Sequence, residues 1–295
     1  LAEHAPVARR GALTSVLQWM GGLGILASTL QLVLLQSWLS AADFRAWGWR
    51  IPFLVSAVLL LASMKARLAL HESPVFTEVS RRKDITKTPL LDCLRDRRTL
   101  GRMALLFFCI SAGGGLLFFC SQVYAGVYLK TVVKMDPVQV GWLTLAATFC
   151  LFPLTYVAGA LSDRLGRRPV VLAGLLLGAL AMLPVYAGLR EFAAFPVIVF
   201  LLLLTLVLAV ALVTGPQTAL LSELFPARTR YTAVGLPHNL AAGWIGGLSP
   251  YMVTLIADKS GSVLLGLGYP TALLALALLV GYFFLPETRG ADLNA

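Results

Sequence analysis

The chain has 295 residues, of which 58% are hydrophobic and only 13% charged, and its mean hydropathy is +0.82. A soluble globular chain carries about 25% charged residues, so this composition excludes a soluble enzyme, a free nucleic-acid binder and a disordered tail. The surplus of 24 Lys+Arg over 14 Asp+Glu therefore needs an explanation in a membrane setting.

Stretches free of Asp, Glu, Lys and Arg run over 11–42, 51–64, 103–129, 137–162, 169–189, 192–222, 231–257 and 260–286. About 20 apolar residues cross a bilayer core, and seven of the eight stretches are that long. The second has 14 residues, but Lys65 and Arg67 can snorkel, which extends it to about Leu70. The pattern predicts an all-α, multi-pass membrane protein with eight transmembrane helices, here called spans 1 to 8. The segment 71–102 is the longest polar connector. Ser73-Pro74 and Thr88-Pro89 are cap-plus-proline helix starts, and Leu90, Leu91 and Leu94 share a face after the second. That fits a helix lying on the membrane surface, with a solvated linker as the alternative.

With eight spans the charge clusters alternate sides: 18 Lys/Arg fall on one side and six on the other. A bias of this kind marks the cytoplasmic side. It places both ends of the chain there, in a cytoplasmic (inner) membrane, and leaves no nucleic-acid role. Cys93, Cys109, Cys120 and Cys150 form no CxxC pair and read as small buried hydrophobes. His4, His71 and His238 are far apart, and no phosphate-binding glycine loop ending in Lys-Ser/Thr is present. No catalytic residue, metal site or cofactor is expected.

An internal repeat emerges at an offset of 220: Glu3-His-Ala-Pro6 with Arg10 matches Glu223-Leu-Phe-Pro226 with Arg230, each ahead of a Gly-rich span. Leu70-His-Glu72-Ser-Pro74 and Leu285-Pro-Glu287-Thr288 resemble each other two spans later. Spans 1 and 2 thus correspond to spans 7 and 8, and spans 3 to 6 have no counterpart. The first segment, Leu1 to Gly11, reads as a loop. Together these features predict a piece of a longer chain that lacks four helices, roughly 120 upstream residues by the repeat length.

Ser162-Asp-Arg-Leu-Gly-Arg-Arg-Pro169 resembles the short cytoplasmic loop motif of the major facilitator superfamily. Trp47-Gly-Trp-Arg-Ile-Pro-Phe53, Glu72-Ser-Pro-Val-Phe76 and Glu223-Leu-Phe-Pro-Ala-Arg-Thr-Arg-Tyr-Thr232 are similar to its metabolite:proton symporter branch. That resemblance implies two six-helix halves and twelve helices, eight of them present here. Residues 1–70 would be the last two helices of the N-terminal half, 71–102 the central cytoplasmic loop and 103–295 the C-terminal half. It also implies proton-driven uptake of a small organic acid or zwitterion by a protein that is monomeric when full length and surrounded by lipid. A non-transporting receptor or scaffold on the same fold is the rival class.

Candidate residues fall into two groups. Around Gly166 the chain must reverse tightly. Asp163 and Glu223 sit at carboxyl ends of spans, where the helix dipole disfavours negative charge. Asp163 needs an external partner, and the amino terminus of span 1 is the candidate; Arg167 or Arg230 would serve Glu223. Asp163, Arg164, Gly166, Arg167, Arg168, Glu223 and Arg230 form the expected gating set, with a purely topological role for the arginines as the alternative. The second group lies at depth, where polar side chains tend to face a cavity: Gln18, Gln122, Tyr124, Thr148, Gln217, His238 and Asn239. His238 is the readily titratable one; a neutral imidazole bonded between helices is the other reading. For Tyr124 the alternative is an interfacial aromatic belt. Gly113-Gly-Gly115 predicts close packing or bending, and Gly215-Pro216 predicts a kink. No cation lies deep in the eight spans, so the sequence does not name the substrate.

Overall fold

The computed structural model describes residues 5–68, 89–225 and 229–291. Eight helices within them are long and apolar enough to cross a membrane: Val7–Trp38, Gly48–Lys65, Arg97–Thr131, Pro137–Leu165, Arg167–Glu191, Pro196–Leu224, Arg230–Ser260 and Val263–Phe284. They correspond one to one with spans 1 to 8.

Where a helix begins is decided by its cap. Span 3 starts at Arg97, ahead of the apolar onset at residue 103, because Asp96 accepts from the N–H groups of Arg98 and Thr99 at 3.2 and 3.1 Å. Arg97, Arg98 and Arg102 are therefore helical even though they belong to the polar connector. Asp136 caps span 4 through Gln139 N at 2.8 Å, ahead of Pro137 in the first turn. Gly261, at φ +70°, closes span 7 and lets the chain turn directly into span 8. The helix expected after Thr88 is present as Pro89–Arg95, with Leu90, Leu91 and Leu94 exposed and Cys93 buried. The helix expected at Ser73-Pro74 lies outside the described residues.

Packing is uneven. Span 3 is two-thirds buried and spans 5 and 6 are half buried, against 11% for span 1 and 6% for span 2. The core therefore sits among spans 3 to 6, lined by Leu106, Ile110, Leu175, Met182, Leu203 and Leu206. Span 1 packs along span 4 through small residues: a Cβ on Gly159 would lie 2.6 Å from the Gly11 carbonyl. Span 2 has few contacts, and Trp47 and Trp49 at its start are exposed.

The central glycines do what their spacing predicts. A Cβ on Gly115 would lie 3.1 Å from Ala242 Cα, and one on Gly246 would lie 2.8 Å from the Gly115 carbonyl carbon. Spans 3 and 7 thus cross backbone on backbone. Both are locally widened to a π-helix, over Leu106–Ser111 and Cys120–Tyr124 in span 3 and Ala241–Gly246 in span 7. Span 6 runs unbroken through Gly215-Pro216. There the glycine provides clearance, since its Cβ would meet the Thr155 carbonyl at 2.7 Å.

Gly246→Ala is expected to push spans 3 and 7 apart and cost about 1–3 kcal/mol. Gly101→Ala, where a Cβ meets nothing within 4 Å, should leave the unfolding midpoint unchanged or higher. Thermal unfolding of the purified protein in detergent compares the two, and equal midpoints would refute the tight crossing.

Candidate functional site: a buried charge cluster and the polar sites above it

The ends of spans 1, 4, 5 and 6 that carry most of the arginines converge on four buried ionic side chains. Asp163 accepts from Gly11 N at 2.8 Å and Ala12 N at 2.9 Å. The free N–H groups of span 1 thus neutralise a carboxylate that its own helix disfavours. Arg167, with no exposed surface, donates to Asp163 Oδ1 and Ser162 Oγ, each at 2.7 Å. It also reaches Glu223 at 3.2 and 3.3 Å. Arg10, 4% exposed, donates to Glu223 Oε1, which it shares with Arg167, at 3.1 Å and to the Ala291 carbonyl at 3.0 Å. Two guanidinium groups and two carboxylates therefore balance within one enclosed cluster.

The segment after span 8 completes it. Thr288 Oγ1 donates to Glu223 at 2.9 Å. Glu287 accepts from the backbone N–H of Arg167 at 2.8 Å and of Arg168 at 3.1 Å, capping span 5. Gly166 has φ +106°, and a Cβ there would fall on the Glu287 carboxylate. Glycine is needed both for the reversal and for the close approach. Arg289 donates to the Arg164 carbonyl at 2.6 Å. Arg168 donates to the Tyr282 carbonyl.

Most of the expected gating set is thus gathered in one place, with Arg230 as the exception. Its Nε donates to the Phe225 carbonyl at 3.1 Å, and Glu223 is held by Arg10 and Arg167. Four participants escaped the sequence reading: Arg10, Ser162, Glu287 and Thr288. Their signals were present, since Arg10 and Glu287 each stand in a repeated motif, but a repeat does not say which motifs touch.

The residues at depth separate into three places. Gln122 and Thr148 join at 2.7 Å. Gln122 and Thr144 line a cavity of about 380 Å³ between span 1 and spans 3 and 4, toward the end opposite the charge cluster. Gln18 Nε2 donates to Thr218 Oγ1 at 2.9 Å. Thr218 shares a groove of about 480 Å³ between spans 6 and 7 with Asn239. His238 Nδ1 lies 3.0 Å from Ser111 Oγ, and Gln217 is buried. Tyr124 belongs with none of these. It is 3% exposed and packs with Tyr128 and Tyr186, whose ring centroids lie 5.1–6.3 Å apart. The cluster is pinned by Tyr128 OH to the Tyr186 carbonyl at 3.1 Å and Tyr186 OH to the Cys120 carbonyl at 2.7 Å. Tyr124 is thus core, neither cavity wall nor interfacial belt.

A multi-pass helical membrane protein, fastened at one end by buried ion pairs and cleft toward the other, is the class this geometry defines. The family model described as "Sugar (and other) transporter" matches residues 1–100 and 83–295, and the chain belongs to that family, which is one of transporters and not of enzymes. Among curated relatives, the inner membrane metabolite transport protein YhjE of Escherichia coli is 31% identical over 99% of this chain and 66% of its own length. A putative proline/betaine transporter of Staphylococcus aureus is 28% identical over 100% and 62%. The alpha-ketoglutarate permease of E. coli is 30% identical over 92% and 60%. The chain therefore spans somewhat less than two-thirds of the length of these relatives. Its fold is that of the major facilitator superfamily: the solved proton:xylose symporter XylE superposes with a TM-score of 0.64 at 22% identity, over 99% of this chain and 68% of that one.

Removing one partner from a buried ion pair costs about 3–5 kcal/mol. Arg167→Met is expected to lose that much stability. Arg164→Met, at an exposed position, should stay within about 0.5 kcal/mol of the parent. Denaturant or thermal unfolding in detergent distinguishes them, and similar losses at both positions would show that the cluster is not a stability centre.

Proposed function

We propose that the protein is a secondary active transporter of a small organic acid or zwitterionic metabolite, moved with protons across the cytoplasmic membrane by alternating access. The observation that carries this reading is the charge cluster. It ties span 1 to spans 4, 5 and 6 at one end, while the cavity beside Gln122 opens toward the other. A path closed on one side and accessible on the other is what one half of an alternating-access cycle requires. In this reading residues 1–70 belong to one half of the transporter and 103–295 to the other, joined by 71–102. Asp163, Arg164, Gly166, Arg167, Arg168, Glu223 and Arg230 are its gating residues, joined by Arg10 and Glu287. The substrate class is supported by the names of the relatives, which include proline/betaine and alpha-ketoglutarate transporters.

Gln18, Gln122, Thr148, Gln217, His238 and Asn239 are assigned to the substrate and proton path. His238 is the proposed proton-responsive group, because an ionisable side chain at such depth is costly and is retained where it serves a path. The excess of arginine and lysine around the charge cluster orients that end toward the cytoplasm.

Uptake of labelled alpha-ketoglutarate, proline and betaine against an imposed pH gradient tests the reading in the protein as its gene encodes it. Asp163→Asn is expected to lower uptake at least tenfold with expression intact, and His238→Gln to flatten its pH dependence. Undiminished uptake by Asp163→Asn would sink the latch, and an unaltered pH profile would leave His238 a packing residue. Orientation is checked separately: cysteines at 134 and 190 should react with an impermeant thiol reagent in intact cells, and one at 98 should not. Labelling at 98 alone would invert the topology.

A further inference from the structure

Spans 3 and 8 leave a groove of about 500 Å³ between them at the arginine-rich end. Along span 3 its lining passes from Arg97, Arg98 and Arg102 to Leu105 and Phe108, and Phe284 faces it from the end of span 8. No acidic residue lines it. Among the described residues Arg97 and Arg98 have no side-chain partner, while Arg102 donates one N–H to the Leu224 carbonyl at 2.8 Å. The adjacent Asp96 is committed to its cap, where the Thr99 hydroxyl and two backbone N–H groups hold its carboxyl below the usual range. Asp96 also feels the charge of Arg98, but with no acidic side chain in the lining the three arginines leave the groove net positive.

The groove has room for a headgroup and the upper part of a lipid tail. From Arg97 to Phe108 the helix rises about 16 Å at 1.5 Å per residue, about 9 Å of it beyond Arg102. Phe108 and Phe284 are 49% and 71% exposed and flank that descent. A free anion would use only the arginine end. A phosphodiester carrying an acyl chain uses both, with guanidinium groups on the phosphate and methylene groups along the aromatics.

We propose that this groove is a binding site for an anionic phospholipid, its phosphate held by Arg97, Arg98 and Arg102 and one acyl chain lying against Leu105, Phe108 and Phe284. Naming the cytoplasmic leaflet rests on the orientation proposed above; the binding itself does not. The site stands apart from the charge cluster and from the polar path, so its occupant acts on how span 3 sits against span 8.

Native mass spectrometry of the protein as its gene encodes it, in detergent supplemented with dioleoyl phosphatidylglycerol or dioleoyl phosphatidylcholine, reads the site without any transport assay. The parent is expected to retain the glycerol lipid at least fivefold better than the choline lipid. Arg97→Gln with Arg98→Gln should abolish that preference. Gly101→Trp should abolish it too, because position 101 lines the groove, a Cβ there meets nothing within 4 Å and the indole is placed to fill the groove with every arginine in place. Equal retention of both lipids by the parent would overturn the proposal. So would unchanged retention by Gly101→Trp, which would reduce the effect to surface charge, or equal competition by glycerol phosphate. Unfolding midpoints of both variants close to that of the parent keep a folding defect out of the comparison.

Discussion

Ionic groups withdrawn from water must be paired, and the geometry of the charge cluster follows from that requirement. Glu223 is enclosed between Arg10 and Arg167 and capped by Thr288. Asp163 is enclosed between Arg167 and the first N–H groups of span 1. If any one element moves, a carboxylate or a guanidinium is left without its partner in a low-dielectric setting. Spans 1, 4, 5 and 6 and the tail are therefore held to one another by bonds that each depend on the rest. Gly11, Gly159 and Gly166 exist where they do because side chains at those positions would occupy the space of the ion pairs or of the backbone they bond.

The spans were legible because crossing a bilayer imposes a length and a composition on a helix, and charge-free stretches report both. The helix start at Arg97 was less so. A cap of one aspartate and a threonine sets it, and the apolar onset lies further on. Asp163 was legible in its need, since a carboxylate at a helix carboxyl end calls for donors, and the nearest free N–H groups on the same side belonged to span 1. Arg167 was weighed for Glu223 alone, and its bond to Asp163, four residues earlier, was not read. Arg10 and Glu287 were not weighed at all, because their contacts lie 213 and 120 residues away along the chain, and nothing local encodes such a distance. Tyr124 shows the converse failure. A polar aromatic near a span end suits an interface, a cavity or a packed cluster equally, and only the arrival of Tyr186 from span 5 decides it.

Backbone geometry links the close helix crossing to the residues of the proposed path. Ser111 ends one widened turn of span 3 and meets His238 on span 7 at 3.0 Å, a few residues from the Gly115–Gly246 contact. A π-turn adds a residue and rotates the side chains that follow it relative to a regular helix. Glycines let the two backbones touch, and Ser111, at the end of the widened turn, reaches the imidazole across the same crossing. Span 1 meets span 6 at two heights, through the Arg10–Glu223 ion pair in the charge cluster and, further along, through the Gln18–Thr218 pair.

The sequence separation within the charge cluster also orders its biosynthesis. Arg10 leaves the ribosome long before its partner Glu223, 213 residues later, which at 5–20 residues per second is a wait of roughly 10–40 s. Glu287 and Thr288, which fasten span 5 and Glu223, emerge later still. Throughout that interval the Arg10 guanidinium has none of its eventual acceptors, whereas the N–H groups of Gly11 and Ala12 wait only for Asp163, 152 and 151 residues on. They sit at a span end, where water and lipid phosphates are within reach. The free N–H groups of span 1 thus find their carboxylate when span 4 emerges, and Arg10 rests on borrowed partners until span 6 arrives.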